Sequence, residues 1–307
     1  MDIITDIVLE KERVMDLIKK YGYAAEHHYF CYVYMDEHNS DNVIFEFDNG
    51  CILAKKQKDE WYVVGRGILA VPEHRLNIFR EFLSYIYSNG AKKLEVETEP
   101  EFRKLLLKEL KEDYGIRPIN CKLTWPVFDM KIWDEKMQGK DWKDMRYYWN
   151  KFFREHKVEF KGAHDFDETT LMHIYEDWKK QRTTGDRTYG QFYIRAIKNN
   201  FEGFDVTRIM VVDDKPVAIT AGFKVPAINY YYSAVGIYTR EFDRTGEIAN
   251  MDDLINLKKI GIEIVDFGGG EDTLTAFKKK FHPTSYYDTV YYSIVPKNNS
   301  EIIGTNE

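Results

Sequence analysis

The feature that most narrows what this chain can fold into is an order of elements that it uses twice. In the first half, residues 5–20 place Ile7, Val8, Val14, Met15, Leu17 and Ile18 near helical spacing. Four short runs rich in aromatic and β-branched residues follow, at 29–35, 42–47, 51–56 and 61–66, and read as strands. Asn49-Gly50 lies between the second and third, where its tolerance of positive φ suits a tight hairpin. A helix at 73–88 ending at Asn89-Gly90, a strand at 92–98, a helix at 100–113 opened by Pro100 and a strand at 119–129 complete the half. The second half gives a helix at 141–156, a strand at 157–162 and helices at 168–182 and 189–200. Strands at 206–213, 216–224 and 228–235 follow, then helix 247–259, strand 262–267, helix 272–280 and strand 286–295. No repeat of sequence accompanies the repeat of order. The economical reading is two copies of one α+β fold, at 1–130 and 131–307, each a mixed, mostly antiparallel sheet flanked by helices.

Composition narrows function. Hydrophobic residues make up 44% of the 307 and charged residues 31%, which excludes a disordered tail or a collagen-like repeat. No apolar run approaches the ~20 residues of a membrane-spanning helix, and the start, MDIITDIVLEKERVM, lacks a basic region followed by an apolar one. The three cysteines, Cys31, Cys51 and Cys121, form no CxxC, so a reducing, cytoplasmic setting is expected. Basic and acidic residues number 18 and 23 before residue 130 and 26 and 28 after it. Neither half is basic overall, so DNA is not an expected partner. A local basic stretch does occur: Lys143, Arg146, Lys151, Arg154, Lys157 and Lys161, interleaved with Tyr147, Tyr148, Trp149, Phe152 and Phe153. This is the best nucleic-acid candidate, and also an ordinary amphipathic helix with a solvated side. HExxH, GxSxG and Walker loops are absent, and no metal is expected.

The C-terminal third carries the most specific pattern: Ile264-Val265-Asp266-Phe267-Gly268-Gly269-Gly270, then Leu274, then Phe277-Lys278-Lys279-Lys280-Phe281. It resembles the strand, Asp-Phe-Gly-Gly and Phe-Lys-x-x-Phe helix of the Fem and BioF-like acyltransferases of the GNAT superfamily. It is also similar to the C-terminal domain of phosphatidylglycerol lysyltransferases. The resemblance covers residues 140–295, with 1–130 matching in element order alone. It implies two tandem GNAT-like domains, the second carrying the transfer site, and an acyl group passed from an activated donor to an amine. In the resembled family the Lys after the first Phe faces the donor phosphates or the oxyanion, a role that falls on Lys278 here.

The residues themselves supply further candidates, each with a plainer reading. Asp266 or Glu271 can take the amine's proton, and Asp266 can equally be a turn carboxylate. Trp178 and Arg182 share a helix face, as do Tyr189 and Tyr193; with Tyr232 they form a candidate acceptor site, or simply a packed Trp under an exposed Arg. Gly246, Gly268, Gly269 and Lys279 are the donor-binding candidates. Ordinary GNAT enzymes grip CoA with Gln/Arg-x-x-Gly-x-Gly/Ala at a helix start. Here Asp243 stands three residues before Gly246, and Arg66-Gly67-Ile-Leu-Ala70 in the first half also departs from the pattern. The expectation is acyl-CoA or aminoacyl-tRNA as co-substrate, no tightly bound cofactor, and a small-molecule or peptide amine as acceptor. The alternative is a non-catalytic GNAT-like small-ligand-binding protein that has lost the CoA-binding loop.

Overall fold

The expected order of elements is present in the computed structural model, which describes residues 1–35, 40–182 and 190–297. The chain divides into two units. The first holds Met1–Thr124, Pro226–Ile228 and the stretch from Asp288 onward; the second holds Trp125–Val225 and Asn229–Tyr287. The sequence reading divides the chain once, at residue 130, whereas the contacts divide it at 124/125 and return the stretch after Tyr287 to the first unit. Two strands cause this, because each starts in one unit and ends in the other: β7 (Tyr114–Asp129) and β13 (Ser285–Pro296).

In the first unit, β1 (Asp2–Ile4), β2 (Asp41–Phe47), β3 (Gly50–Gln57) and β4 (Glu60–Val63) pair antiparallel in that order. The short β5 (Ile68–Ala70) pairs with β3. β4 then runs parallel to β6 (Lys93–Thr98), which pairs antiparallel with β13. Phe47 pairs with Gly50, so Asp48 and Asn49 make the two-residue turn of the β2–β3 hairpin and Gly50 already opens β3, one position earlier than an Asn49-Gly50 turn would give. α1 (Lys11–Tyr21), α3 (Pro72–Ser88) and α4 (Pro100–Glu109) accompany the sheet. The core joins Phe45, Phe79, Phe82, Leu83, Leu94 and Val96, all inaccessible to solvent. Each such side chain contributes about 1.5–3 kcal/mol by leaving water.

One element departs from expectation. Residues 29–35 read as a strand, but Tyr29–Tyr34 form a short helix, α2. Aromatic and β-branched residues fit any half-buried surface, so their strand preference yields to tertiary burial. The Tyr29 hydroxyl donates to the Ile7 carbonyl at 3.1 Å and that of Tyr32 to the Ala54 carbonyl at 2.5 Å.

The second unit orders its strands β7, β12 (Ile264–Asp266), β11 (Tyr230–Tyr238), β10 (Lys215–Lys224), β9 (Val206–Val212) and β8 (Val158–Lys161). β11 and β12 are its parallel pair; the other pairings are antiparallel. α5 (Lys143–Glu155), α6 (Glu168–Lys180), α7 (Gly190–Lys198), α8 (Thr245–Lys259) and α9 (Asp272–Lys279) complete it. α8 is buried along most of its length and is anchored by Asp253, whose carboxylate accepts from Thr220 at 3.2 Å and Ser233 at 3.4 Å. That anchoring fixes where the N-terminus of α8 points.

Candidate functional site

The site forms where β12 leaves its sheet. Asp266 is the last residue of β12, opposite Tyr232 of β11 and Val127 of β7, and is inaccessible to solvent. The chain then turns sharply. Gly268 takes a φ of +77°, a left-handed conformation that favours glycine, and a Cβ at Gly269 would lie 2.6 Å from the Trp125 ring. The Gly268 amide donates back to Asp266 Oδ1 at 3.0 Å, and the Tyr287 hydroxyl donates to Asp266 Oδ2 at 2.6 Å. Trp125 stacks on Tyr287, with centroids 5.6 Å apart and planes 8° apart.

α9 brings Lys278 to the same turn. Its ammonium donates to the Phe267 carbonyl at 2.6 Å and the Gly268 carbonyl at 2.8 Å, and lies 3.5 Å from that of Gly269. Burial drives its pKa down to about 7, against the pull of the Asp266 carboxylate. The flanking aromatics hold the helix in place: Phe277 packs on Phe281 and stacks on Tyr238 of β11.

Tyr238 also walls a cavity of about 350 Å³ at the N-terminus of α8. Arg240, Asp243, Arg244, Thr245, Gly246 and Glu247 line it together with Thr239. The first amides of a helix point outward without intrahelical partners, so this end attracts anions. Thr239 is 6% exposed, and its hydroxyl has no hydrogen-bond partner among the described residues. Glu247 receives Arg244 at 2.9 Å and Lys280 at 3.0 Å. Burial opposes its ionisation, but those two cations outweigh burial and hold the carboxyl below its usual range.

The structure brings Asp266, Gly268, Gly269, Tyr232 and Lys278 together, and sets Gly246 at the cavity, where a Cβ would strike the Tyr238 ring at 2.4 Å. Glu271 is exposed at the start of α9 and Lys279 exposed at its end. Lys280 reaches the cavity wall where Lys279 is the residue expected. Trp178 on α6 meets Tyr193 on α7 edge-on at 5.1 Å, with the Arg182 guanidinium 4.6 Å from the Trp178 ring. Tyr189 lies outside the described residues. An aromatic run joins this group to the turn: Tyr193–Phe192–Phe204–Phe223–Tyr232, with neighbouring centroids 5.5–6.2 Å apart.

The basic stretch at 143–161 is two elements. Lys157 and Lys161 belong to the β8 segment and pair with Glu159 at 3.1 and 3.3 Å. On α5, Arg146 is turned inward to the Met137 and Gly139 carbonyls. Lys143, Tyr147, Lys151 and Arg154 form an exposed stripe, and Tyr148 beside it carries the Arg244 guanidinium 4.3 Å from its ring. The sequence reading misses Trp125, Tyr287, Thr239 and Arg244. Tyr287 sits in the run YYDTVYY, which signals a strand and nothing more.

A family model described as phosphatidylglycerol lysyltransferase, C-terminal, matches residues 19–230, more than two thirds of the chain. The match takes in much of the first half, credited from sequence with element order alone, and ends before β12 and α9. No curated protein matches. Solved structures share the fold. A conserved protein of unknown function from Bacteroides thetaiotaomicron VPI-5482 aligns with a TM-score of 0.70 at 13% identity, covering 97% of this chain and 100% of its own. L-PGS from Bacillus licheniformis aligns at 0.64 and 14%, covering 95% and 93%. A tandem GNAT protein from the clavulanic acid biosynthesis pathway aligns at 0.57 and 10%, covering 96% and 98%. At such identities the likeness shows the fold, a tandem GNAT architecture. With the family match over most of its length, the chain belongs to the family of phosphatidylglycerol lysyltransferase C-terminal domains.

Proposed function

We propose that the second unit transfers an aminoacyl group from charged tRNA to an amine. The carrying observation is the meeting of buried Asp266 and buried Lys278 at one glycine turn, joined by α9 to an anion-attracting helix end. The donor's terminal phosphates lie at the α8 N-terminus, near Arg240 and Arg244. Its ester carbonyl reaches the Gly268 turn. As the amine attacks, negative charge grows on the carbonyl oxygen, and a fixed cation there lowers the barrier. Lys278 offers the proton that spans 3.5 Å to Gly269, the longest of its three contacts. The exposed α5 stripe meets the tRNA, and the aromatic run from Tyr232 to Trp178 holds the acceptor.

CoA is disfavoured as donor by Asp243, a carboxylate where the ordinary grip has Gln or Arg. The test incubates the full chain with each charged tRNA and glycinamide as the amine probe, and looks for the aminoacyl-glycinamide product by mass spectrometry. Product above the uncatalysed rate with at least one charged tRNA is expected. Turnover of acetyl-CoA alone overturns the choice of donor.

A second reading, a non-catalytic small-ligand-binding protein, is favoured by one observation: the Lys278 ammonium already clasps the Phe267 and Gly268 carbonyls. Ligand binding with no product from any charged tRNA or acyl-CoA decides for it.

A further inference from the structure

Asp266 is in the right place to manage a proton but cannot touch an acceptor. It is inaccessible to solvent, and both carboxylate oxygens receive donors, Oδ1 from the Gly268 amide and Oδ2 from the Tyr287 hydroxyl. Tyr287 is half-buried, so its phenol bridges the buried carboxylate and the partly open side of the turn. A phenol that donates to a carboxylate keeps oxygen lone pairs with which to accept a proton. Its ring cannot swing freely. Trp125 lies flat on it, and Trp125 is itself pressed against Gly269, where no side chain fits. Three unusual features thus converge on the orientation of one hydroxyl: a parallel Trp–Tyr stack, a glycine required by the Trp, and a 2.6 Å bond to a buried carboxylate.

We infer that Tyr287 is the catalytic residue that exchanges a proton with the acceptor, with Asp266 storing that proton and Trp125 positioning the ring. The inference rests on the transferase reading above. The acceptor nitrogen attacks the donor ester carbonyl, the C–N bond forms, and the carbonyl π pair moves onto oxygen. The nitrogen's proton passes to Tyr287 Oη as the phenolic proton moves to Asp266 Oδ2. The tetrahedral intermediate collapses and the C–O ester bond breaks. The departing ribose oxygen takes a proton from Tyr287, which recovers its own from Asp266. One proton has moved from acceptor to leaving group, and the enzyme ends as it began.

The test uses the full chain, a charged tRNA and glycinamide, under single-turnover conditions. Tyr287→Phe keeps the ring and its stack and removes the relay. Its rate is expected to fall about 100-fold or more, the scale of general acid–base catalysis, while tRNA affinity stays within about twofold. Asp266→Asn should fall comparably, because an amide cannot store the phenolic proton. The double variant should be no slower than the slower single one, because the two groups act as a unit. Trp125→Phe, which loosens the ring without removing the hydroxyl, should sit between wild type and Tyr287→Phe. An undiminished rate in Tyr287→Phe, or losses that multiply in the double variant, overturns the relay and leaves the transferase reading standing. A wild type that transfers nothing from any charged tRNA overturns both.

Discussion

Each unit ends the second strand of its parallel pair near a buried carboxylate, and the two surroundings differ. In the first unit Glu97, one residue beyond the last β4–β6 pair, receives the Gly65 amide at 2.8 Å and the Thr289 hydroxyl at 2.6 Å. Burial pushes its pKa up to about 7. Beside it, Glu26 and Arg66 form a buried ion pair at 2.5 Å. His27 accepts from the Tyr23 and Ala24 amides at Nδ1 and turns Nε2 to the Gly65 and Arg66 carbonyls. Burial, with Arg66 nearby, drives His27 down to about 3, so it stays neutral. The helix that connects the two strands of this parallel pair, α3, opens with Pro72, which brings one fewer amide to its N-terminus. In the second unit the carboxylate is tied to a half-buried tyrosine, a buried lysine lies on the same turn, and α8 presents a cavity with an unsatisfied hydroxyl. The same topology is closed by its own polar groups in one unit and left open in the other. That difference supports placing the chemistry in the second unit and reading the polar cluster of the first as structural.

Breaking the closed cluster should give the largest effect. Arg66→Met leaves Glu26 buried without its ion-pair partner, and such a loss costs about 3–5 kcal/mol. Urea titration should show that fall, while the transfer rate per folded molecule stays at the wild-type value. A fall in that rate would place part of the chemistry in the first unit and collapse the contrast.

Next comes Lys278→Met, which removes the charge and keeps most of the apolar stem. Loss of one oxyanion donor costs roughly 100-fold or more in turnover. The variant also separates clasp from catalyst through pH. The folded-state pKa of Lys278 is about 7 against an ordinary 10.5. Between those values the unfolded chain binds a proton that the folded chain does not, so this residue makes stability rise with pH. The wild type should gain on the Met variant from pH 7 toward 10, and the gap should be flat below pH 7. A gap that stays constant across the range would mean the lysine titrates normally and is less buried than the turn requires.

The fold is largely legible because period-2 and period-3.6 patterns report burial directly, and Asn49-Gly50 and Pro100 fall within a residue of where one element gives way to the next. Residues 29–34 failed because their composition suits any buried surface and only the packing of Tyr29 and Tyr32 decides. At the site, the glycines and Lys278 were legible because unusual backbone and a lysine between phenylalanines leave a local mark. Trp125 and Tyr287 were not, because they are ordinary strand residues whose meaning comes from lying opposite Gly269 and Asp266, 144 and 21 positions away in sequence.

The smallest expected effect is the most discriminating test of the open unit. Among the described residues the buried Thr239 hydroxyl has no hydrogen-bond partner, an arrangement that costs about 1–3 kcal/mol of desolvation. Thr239→Val matches its shape and removes that cost, so the variant should be as stable as the wild type or slightly more so in thermal melts. If the hydroxyl waits for a donor phosphate, the same change should weaken binding of charged tRNA severalfold, the worth of one hydrogen bond at about 1 kcal/mol. Stability and affinity then move in opposite directions, which a purely structural threonine cannot produce. Unchanged affinity with raised stability would mean the cavity does not hold the donor, and the openness that distinguishes the second unit would lose its functional meaning.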